Sequence, residues 1–321
     1  MSRGNFALVG DIGGTNARFA LVRPGQFQLE QVQVLPTRDY ANLDDAVRDY
    51  LQQAGVAAVE EACMAFAGPV HGEHIKLTNN PWAFDKREMQ ARLGLRTFKL
   101  LNDFTAMALG VPYVMPEQLV QVGGGAGEPA RARLVIGPGT GLGVSGLVRS
   151  STHWLPLSTE GGHVDFAPTN DLEIDLLRWL RTRYERVSVE RILCGEGMVN
   201  LYQALAEFRH TTPLHQTPAE VLAAALSGED SLARDSLQLF CEIFGRVCGN
   251  AALTIGSLGG VYICGGIIPR FVDFFKQSNF RACFEDKGRM RSYLEPVPAY
   301  VVLEPFTGLL GAAEALINDE V

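Results

Sequence analysis

The chain lacks several features that would have directed a first reading elsewhere. Its six cysteines, Cys63, Cys194, Cys241, Cys248, Cys264 and Cys283, lie scattered in apolar stretches with no Cys-x-x-Cys pair. That argues against a zinc module or a disulfide framework and reads as reduced thiols in a cytoplasmic protein. There is no excess of positive charge: 28 Lys+Arg against 36 Asp+Glu leave a net charge of −8, so neither nucleic acid nor an anionic membrane is indicated as a partner. No apolar run approaches the ~18 residues of a membrane span, and the amino terminus has no basic-then-apolar signal segment. No glycine is followed by Lys-Ser or Lys-Thr, which removes the P-loop. What remains is a soluble globular composition, 47% hydrophobic and 20% charged, in 321 residues, a length that favours two domains.

The most informative stretch is Asp11-Ile12-Gly13-Gly14-Thr15-Asn16-Ala17-Arg18. Apolar runs enter it from Phe6 and leave it toward Val22, so it reads as a β-hairpin and not as a strand-to-helix turn. Glycines there let backbone amides crowd inward and form an anion-binding concavity suited to phosphate. Gly10 and Asp11 stand at its mouth. A carboxylate beside phosphate calls for a cation between them, and hard Mg²⁺ that keeps its waters suits that place. Taken alone, the stretch fits an ordinary glycine-rich hairpin equally well.

A second copy follows more than a hundred residues later. Leu134 to Val148 again runs strand, turn, strand, with Gly139-Thr140-Gly141 at the turn. Two such hairpins suggest two related halves. Gly141, Gly143 and Gly146 also match the spacing of a dinucleotide fingerprint, but that fingerprint opens a helix, and Val144 to Val148 read as a strand.

Between and beyond the hairpins the pattern alternates strand and helix, the mark of an α/β sheet flanked by helices. Strands are expected at Gln26–Val34, Ala62–Ala67, Phe98–Leu101, Gly260–Cys264 and Ala299–Leu303. Helices are expected at 39–53, 105–109, 172–184, 200–208, 237–253 and 308–317, with another starting near Pro269. In the long helix, Gly245 and Gly249 would allow close packing on the sheet. Gly123 to Pro129 reads as a flexible surface loop.

Several polar groups fall at the ends of these elements. Asn102-Asp103 closes a strand where open α/β sheets place ligands, although an Asp there also fits a helix N-cap. Asn80 lies in the Thr78–Trp82 loop, where Asn-Pro is also a plain turn signal. Glu160-Gly161-Gly162-His163 suits hydrogen bonding to a polyol better than metal ligation, since no Cys cluster or His-x₃-His helix accompanies it. Glu190 next to Arg191 also fits a surface ion pair. Gly265-Gly266 ends a buried strand, where a flat ring such as adenine could lie on the backbone.

These motifs, in this order from Ala7 to nearly the last helix, resemble the bacterial ATP-dependent glucokinases of the hexokinase/actin-like ATPase superfamily. The related repressor/open-reading-frame/kinase family carries a similar Glu-x-Gly-His string together with a zinc-binding cysteine cluster. That cluster is missing here, which places the resemblance with the cluster-free group. The resemblance implies a two-lobed fold of the actin-like, ribonuclease H-like kind. It also implies a small lobe of residues 1–113 plus 304–321, a large lobe of 114–303, a ligand cleft between them, and closure on sugar binding.

It further implies transfer of the γ-phosphate of ATP to the 6-hydroxyl of glucose, the entry step of glycolysis. Asp103 would be the general base. Asn80, Asn102, Asp103, Glu160, His163 and Glu190 would meet the sugar. Gly10, Asp11, Gly13, Gly14, Thr15, Asn16, Gly139, Thr140, Gly141, Gly265 and Gly266 would meet the nucleotide. Asp11 would hold Mg²⁺ through water, and a cytoplasmic homodimer is expected. A broader hexose or amino-sugar kinase is the alternative on the same scaffold. A non-catalytic sugar-sensing regulator would need a DNA-binding helix-turn-helix, for which no amino-terminal extension is seen.

Overall fold

A computed structural model describes residues 6–68, 70, 72–77 and 81–321. In chain order it forms β1 (Ala7–Ile12), β2 (Asn16–Val22), β3 (Glu30–Pro36), α1 (Leu43–Gln53), β4 (Glu61–Phe66), β5 (His74–Lys76), β6 (Ala83–Asp85), α2 (Lys86–Leu93), β7 (Thr97–Asn102) and α3 (Asp103–Gly110). Then come β8 (Leu119–Gln121), β9 (Arg133–Pro138), β10 (Leu142–Arg149), β11 (Trp154–Ser158), α4 (Asp171–Arg181), α5 (Gly195–Phe208), α6 (Pro218–Ser227) and α7 (Ser231–Ile255). The chain ends with β12 (Val261–Ile263), α8 (Val272–Gln277), α9 (Phe280–Glu285), α10 (Arg291–Leu294), β13 (Ala299–Val302) and α11 (Thr307–Ile317). It divides into two compact units. The first is Met1–Pro116, Leu147–Ser158 and Glu304–Val321; the second is Glu117–Gly146 and Thr159–Leu303.

In the first unit the sheet order is β3-β2-β1-β4-β7. β1 and β2 form the expected antiparallel hairpin, with Ile12 opposite Ala17, and β4 lies parallel to β1 on its other side. Side chains on one face, among them Leu8, Phe19, Met64 and Phe98, pack with Tyr50 of α1 and with Trp82. Trp82 also donates from Nε1 to the Tyr40 carbonyl, 3.2 Å, so the aromatic anchor of the Thr78–Trp82 loop is in place. Thr78, Asn79 and Asn80 themselves lie outside the described residues.

α3 and α11 cross at Gly110 and Gly311. A Cβ on Gly311 would fall on the Ala106 carbonyl, and one on Gly110 on the Thr307 carbonyl. This close approach fixes the helix that begins at Asp103. Lys99 Nζ secures the far end of α11 by donating to the carbonyls of Ala315, Asn318 and Val321, at 2.8, 2.9 and 2.9 Å.

The second sheet has six strands in the order β11-β10-β9-β12-β13-β8, and its run β11-β10-β9-β12-β13 repeats the theme. β12 is parallel to both β9 and β13, and β8 closes the edge antiparallel. β10 runs on past Gly146 into the first unit and turns back there as β11, with Ser150 N–H bonded to the His153 carbonyl at 2.9 Å. The core is built on α5 and α7, with Phe240, Phe244, Phe275, Phe280 and Phe284 fully or almost fully buried.

Several local expectations are corrected. The first helix starts at Leu43, not at 39, because Asn42 caps it by accepting from Asp45 N–H, 2.9 Å. The third strand is Glu30–Pro36, shifted toward the carboxyl end of the expected run. Gly245 and Gly249 face α9 and not the sheet; Cβ atoms there would strike the carbonyls of Phe280 and Phe284. At Pro269 the chain makes a 3₁₀ turn, Ile268–Phe271, before α8 begins.

The Gly123–Pro129 segment is on the surface but tied down. Gln121 Nε2 donates to the carbonyls of Gly124 and Gly125, 3.1 and 3.0 Å, and Gly125 N–H reaches the Pro296 carbonyl, 3.2 Å. At Gly124 the φ of +83° and the approach to Val297 and Pro298 both exclude a side chain. Burial pushes the thiols of Cys63, Cys241 and Cys264 up to about 12, as unreactive core groups.

Candidate active site

The two glycine turns follow one scheme with turns of different size. In the first unit, Gly13 N–H donates back across the turn to the Asn16 carbonyl, 2.9 Å. Thr37 ties the outer side: its N–H bonds the Thr15 carbonyl at 3.0 Å and its hydroxyl the Gly14 carbonyl at 2.8 Å. The amides of Gly14 and Thr15 have no backbone partner among the described residues. In the second unit, Gly139 N–H donates to the Gly141 carbonyl, 2.7 Å, and Gly195 N–H at the start of α5 ties the Gly139 carbonyl, 3.0 Å. The amides of Thr140 and Gly141 likewise have no backbone partner among the described residues. In each unit, carbonyls are occupied and two successive N–H groups are left for an anion, as in a backbone nest.

Around the first turn, Gly10 sits in β1 against Phe19 and Met64; a Cβ there would come within 3.3 Å of both. Asp11 follows in β1, opposite Arg18 in β2, with Arg18 Nη1 at 3.2 Å from Asp11 Oδ2. Burial raises the Asp11 carboxyl's pKa, and the Arg18 guanidinium works against that rise. The first turn of α11 also meets Asp11: a Cβ on Gly308 would lie 3.5 Å from its Cγ.

Asn102 and Asp103 stand at the β7–α3 junction, at the carboxyl end of a parallel strand. The N-cap is Asn102 and not Asp103. Asn102 Oδ1 accepts from the N–H groups of Phe104 and Thr105, 2.9 and 3.2 Å, and its Nδ2 donates to the Gly68 carbonyl, 3.3 Å. Asp103 is the first helical residue, half-buried, where the helix dipole favours its charge.

In the second unit the loops 160–165 and 186–190 are laced together. Phe166 N–H bonds the Val187 carbonyl at 3.1 Å, Val189 N–H the Val164 carbonyl at 3.0 Å, and Asp165 bridges Ser188. Arg186 Nη2 holds both the Asp165 carboxylate, 2.7 Å, and the His163 carbonyl, 2.8 Å. Gly161 and Gly162 lie flat on β10, where Cβ atoms would strike Val144 and the Leu142 carbonyl.

This lacing gathers Glu160, His163 and Glu190. His163 Nε2 is 4.0 Å from Glu160 Oε2, and His163 Nδ1 is 3.9 Å from Glu190 Oε1. Those gaps are too long for direct hydrogen bonds and short enough for one hydroxyl to bond two groups. Glu190 makes no ion pair with Arg191, which instead lies over the Tyr184 ring, 4.3 Å to the centroid. Its Oε2 accepts from Leu142 N–H, 2.8 Å.

Gly265, at φ +92° and against the Pro138 carbonyl, lies two residues past the end of β12 and beside the end of β9, so the double glycine and the Gly139–Gly141 turn lie at the same end of the sheet. A side chain at Gly266 would meet nothing within 4 Å.

The glucokinase family profile matches residues 8–319. The chain belongs to the glucokinase family. It is 66% identical, over the full length of both chains, to a glucokinase of Hahella chejuensis and 59% identical, again end to end, to one of Marinobacter nauticus. Among solved structures, a glucokinase from an Antarctic psychrotroph superposes with a TM-score of 0.89 at 36% identity, covering 98% of this chain and 99% of that one. A Balamuthia mandrillaris glucokinase in complex with glucose shares the fold, at a TM-score of 0.81 and 20% identity over 98% and 94% of the two chains.

Sequence reading missed Thr37, Gly195 and the Phe166–Val189 lacing. Thr37 follows Pro36 and opens a short 3₁₀ turn, Thr37–Asp39, and no local pattern marks it as a tie to Gly14. Gly195 carried a weak signal, as a glycine beside Cys194, which caps α5 through its sulfur to Gly197 N–H, 3.3 Å.

Proposed function

We propose that this chain transfers the γ-phosphoryl group of ATP to the 6-hydroxyl of D-glucose, giving glucose 6-phosphate and ADP. The observation that carries the reading is the Glu160–His163–Glu190 set, held at one-hydroxyl spacing and fastened through Glu190 to a phosphate-type turn. Acceptors and a ring nitrogen at that spacing suit adjacent hydroxyls of a sugar. A sugar lacking one of them would leave one of these groups without its hydroxyl partner.

Asp103 is assigned as the general base that takes the 6-hydroxyl proton as that oxygen attacks the γ-phosphorus. Its carboxyl group stands on the first turn of α3, at the carboxyl end of a parallel strand, where open α/β sheets place ligands. Phosphoryl transfer asks the protein mainly for in-line positioning and charge stabilisation. The amides of Gly14 and Thr15, and those of Thr140 and Gly141, donate hydrogen bonds to the phosphates, while Gly265 and Gly266 carry the adenosine. Gly10, Gly13, Asn16 and Gly139 shape the two turns, and Asn102 meets the sugar only after fixing the start of α3. Asn80 stays a proposed sugar contact outside the described residues.

The Asp11 carboxylate beside the Gly13–Thr15 amides fits a hydrated Mg²⁺ shared with the phosphates. When bound, that ion would neutralise charge on the phosphoryl oxygens. Among the described residues no group of three or more His, Cys, Asp and Glu gathers as a metal cage. No helix among the described residues is long and apolar enough to cross a membrane. A cytoplasmic homodimer acting at the entry of glycolysis completes the proposal, and sedimentation would test its oligomeric state.

The test is ATP-dependent phosphorylation across a panel of hexoses, with the native chain and Asp103→Asn. Glucose turnover that collapses in the variant while glucose still binds supports the reading. Preferred turnover of another hexose or an amino sugar would keep the kinase and replace the substrate. No turnover on any sugar would overturn it.

A further inference from the structure

Glu190 stands between the second glycine turn and His163. One of its oxygens, Oε2, accepts the Leu142 N–H at 2.8 Å, the first amide after the Gly139–Gly141 turn. The other, Oε1, faces His163 Nδ1 at 3.9 Å. A Cβ on Gly141 would fall on Glu190 Oε2, so a side chain there displaces the carboxylate. The backbone that carries Glu190 is fixed: Val189 N–H bonds the Val164 carbonyl, 3.0 Å, and Ile192 N–H closes the turn on the Val189 carbonyl, 3.1 Å. The carboxylate, on a fixed stretch of backbone, therefore spans from the phosphate turn to the sugar-hydroxyl set.

We propose that Glu190 couples the two substrates: it is a positioning residue through which a bound sugar orders the phosphate turn and a bound nucleotide orders the sugar groups. The proposal rests on the glucose reading above for the identity of the sugar. A hydroxyl that bonds Oε1 and His163 fixes the side-chain torsions of Glu190. That in turn holds the Leu142 amide and the geometry of the Thr140 and Gly141 donors. Binding of phosphate at the turn holds Oε2 from the other side and presents Oε1 to the sugar. Linkage requires the two effects to be equal in size.

The span needs its full length. Asp at this position is shorter by one carbon, about 1.5 Å, and reaches one partner only, although it keeps the charge. Gln keeps the span: its carbonyl oxygen accepts from Leu142 N–H and its amide faces the sugar, although the charge is lost. A purely electrostatic role ranks Asp above Gln; a spanning role ranks Gln above Asp.

The experiment is calorimetric titration of the full chain with glucose and with the non-hydrolysed analogue AMPPNP plus Mg²⁺, each with and without the other ligand. The native chain is expected to show mutual tightening of about fivefold or more. Glu190→Gln keeps most of that factor. Glu190→Asp and Gly141→Ala bring it to about one, with each ligand binding alone more weakly than to the native chain. A native factor near one, or an Asp variant that couples better than the Gln variant, overturns the proposal. If the native chain binds AMPPNP but no glucose, the glucose reading itself falls, and the coupling falls with it.

Discussion

The two glycine turns are built alike and wired to different chemistry. In both, the first glycine donates back across the turn, an outside group ties the carbonyls, and two successive amides are left for an anion. The second residue before each first glycine is where they part. In the first turn it is Asp11, paired with Arg18. In the second it is Gly137, where a Cβ would fall on the Cys264 carbonyl of the neighbouring segment. Further differences follow the turns: Arg18 answers the first, whereas Leu142 N–H hands the second to Glu190. The lesson is that a phosphate turn is generic backbone geometry. What makes one a candidate cation site and the other a candidate sugar-side anchor is a single carboxylate added from a different direction.

The largest effect that would sharpen this comparison lies outside both turns. Asp103→Asn should lower kcat by roughly 10²–10⁴-fold while calorimetric glucose binding stays within a few-fold. A variant that keeps native kcat would mean that the chemistry does not depend on the β7–α3 junction. Next come the paired positions themselves. Gly137→Ala should destabilise by about 1–3 kcal/mol through overpacking, read as a lower Tm, whereas Asp11→Asn should fold and lose activity. If both variants fold equally well, the two positions do not differ in the way the contacts indicate.

Thr37→Val removes the hydroxyl that ties the Gly14 carbonyl, at a cost of about 1 kcal/mol. Nucleotide-analogue binding should weaken roughly fivefold, with glucose binding alone unchanged; equal weakening of both would argue for a general loss of fold.

The smallest effect concerns pH. Burial raises the pKa of Asp11 above its ordinary 3.8, so the folded chain holds that proton longer than the unfolded chain does. Ionising it therefore costs stability, and the cost grows as pH rises through the raised value. Asp11→Asn should gain Tm relative to the native chain at neutral pH, with the gain vanishing toward acid below 3.8. A difference that stays flat from acid to neutral pH would contradict that account.

Much of the fold was legible because its cause is local. Hairpins at Gly13–Thr15 and Gly139–Gly141 follow from apolar runs flanking glycine, and the strand ends at Asn102 and Gly265 from the same punctuation. Boundaries slipped where a cap decided them: Asn42 outcompetes the Asp39 start because its side chain satisfies the Asp45 amide. The opposite slip occurred at Asp103, whose capping role is filled by its neighbour Asn102.

By itself the sequence determined the two turns, the alternation of strand and helix, and the residue types with sugar- and phosphate-directed chemistry, since each depends on neighbours a few positions away. Tertiary structure alone decided what joins them. Thr37 reaches Gly14 from 23 positions along the chain, and Glu190 reaches Leu142 from 48. Such contacts depend on which strand ends lie side by side, a property of the packed sheet that no local pattern encodes.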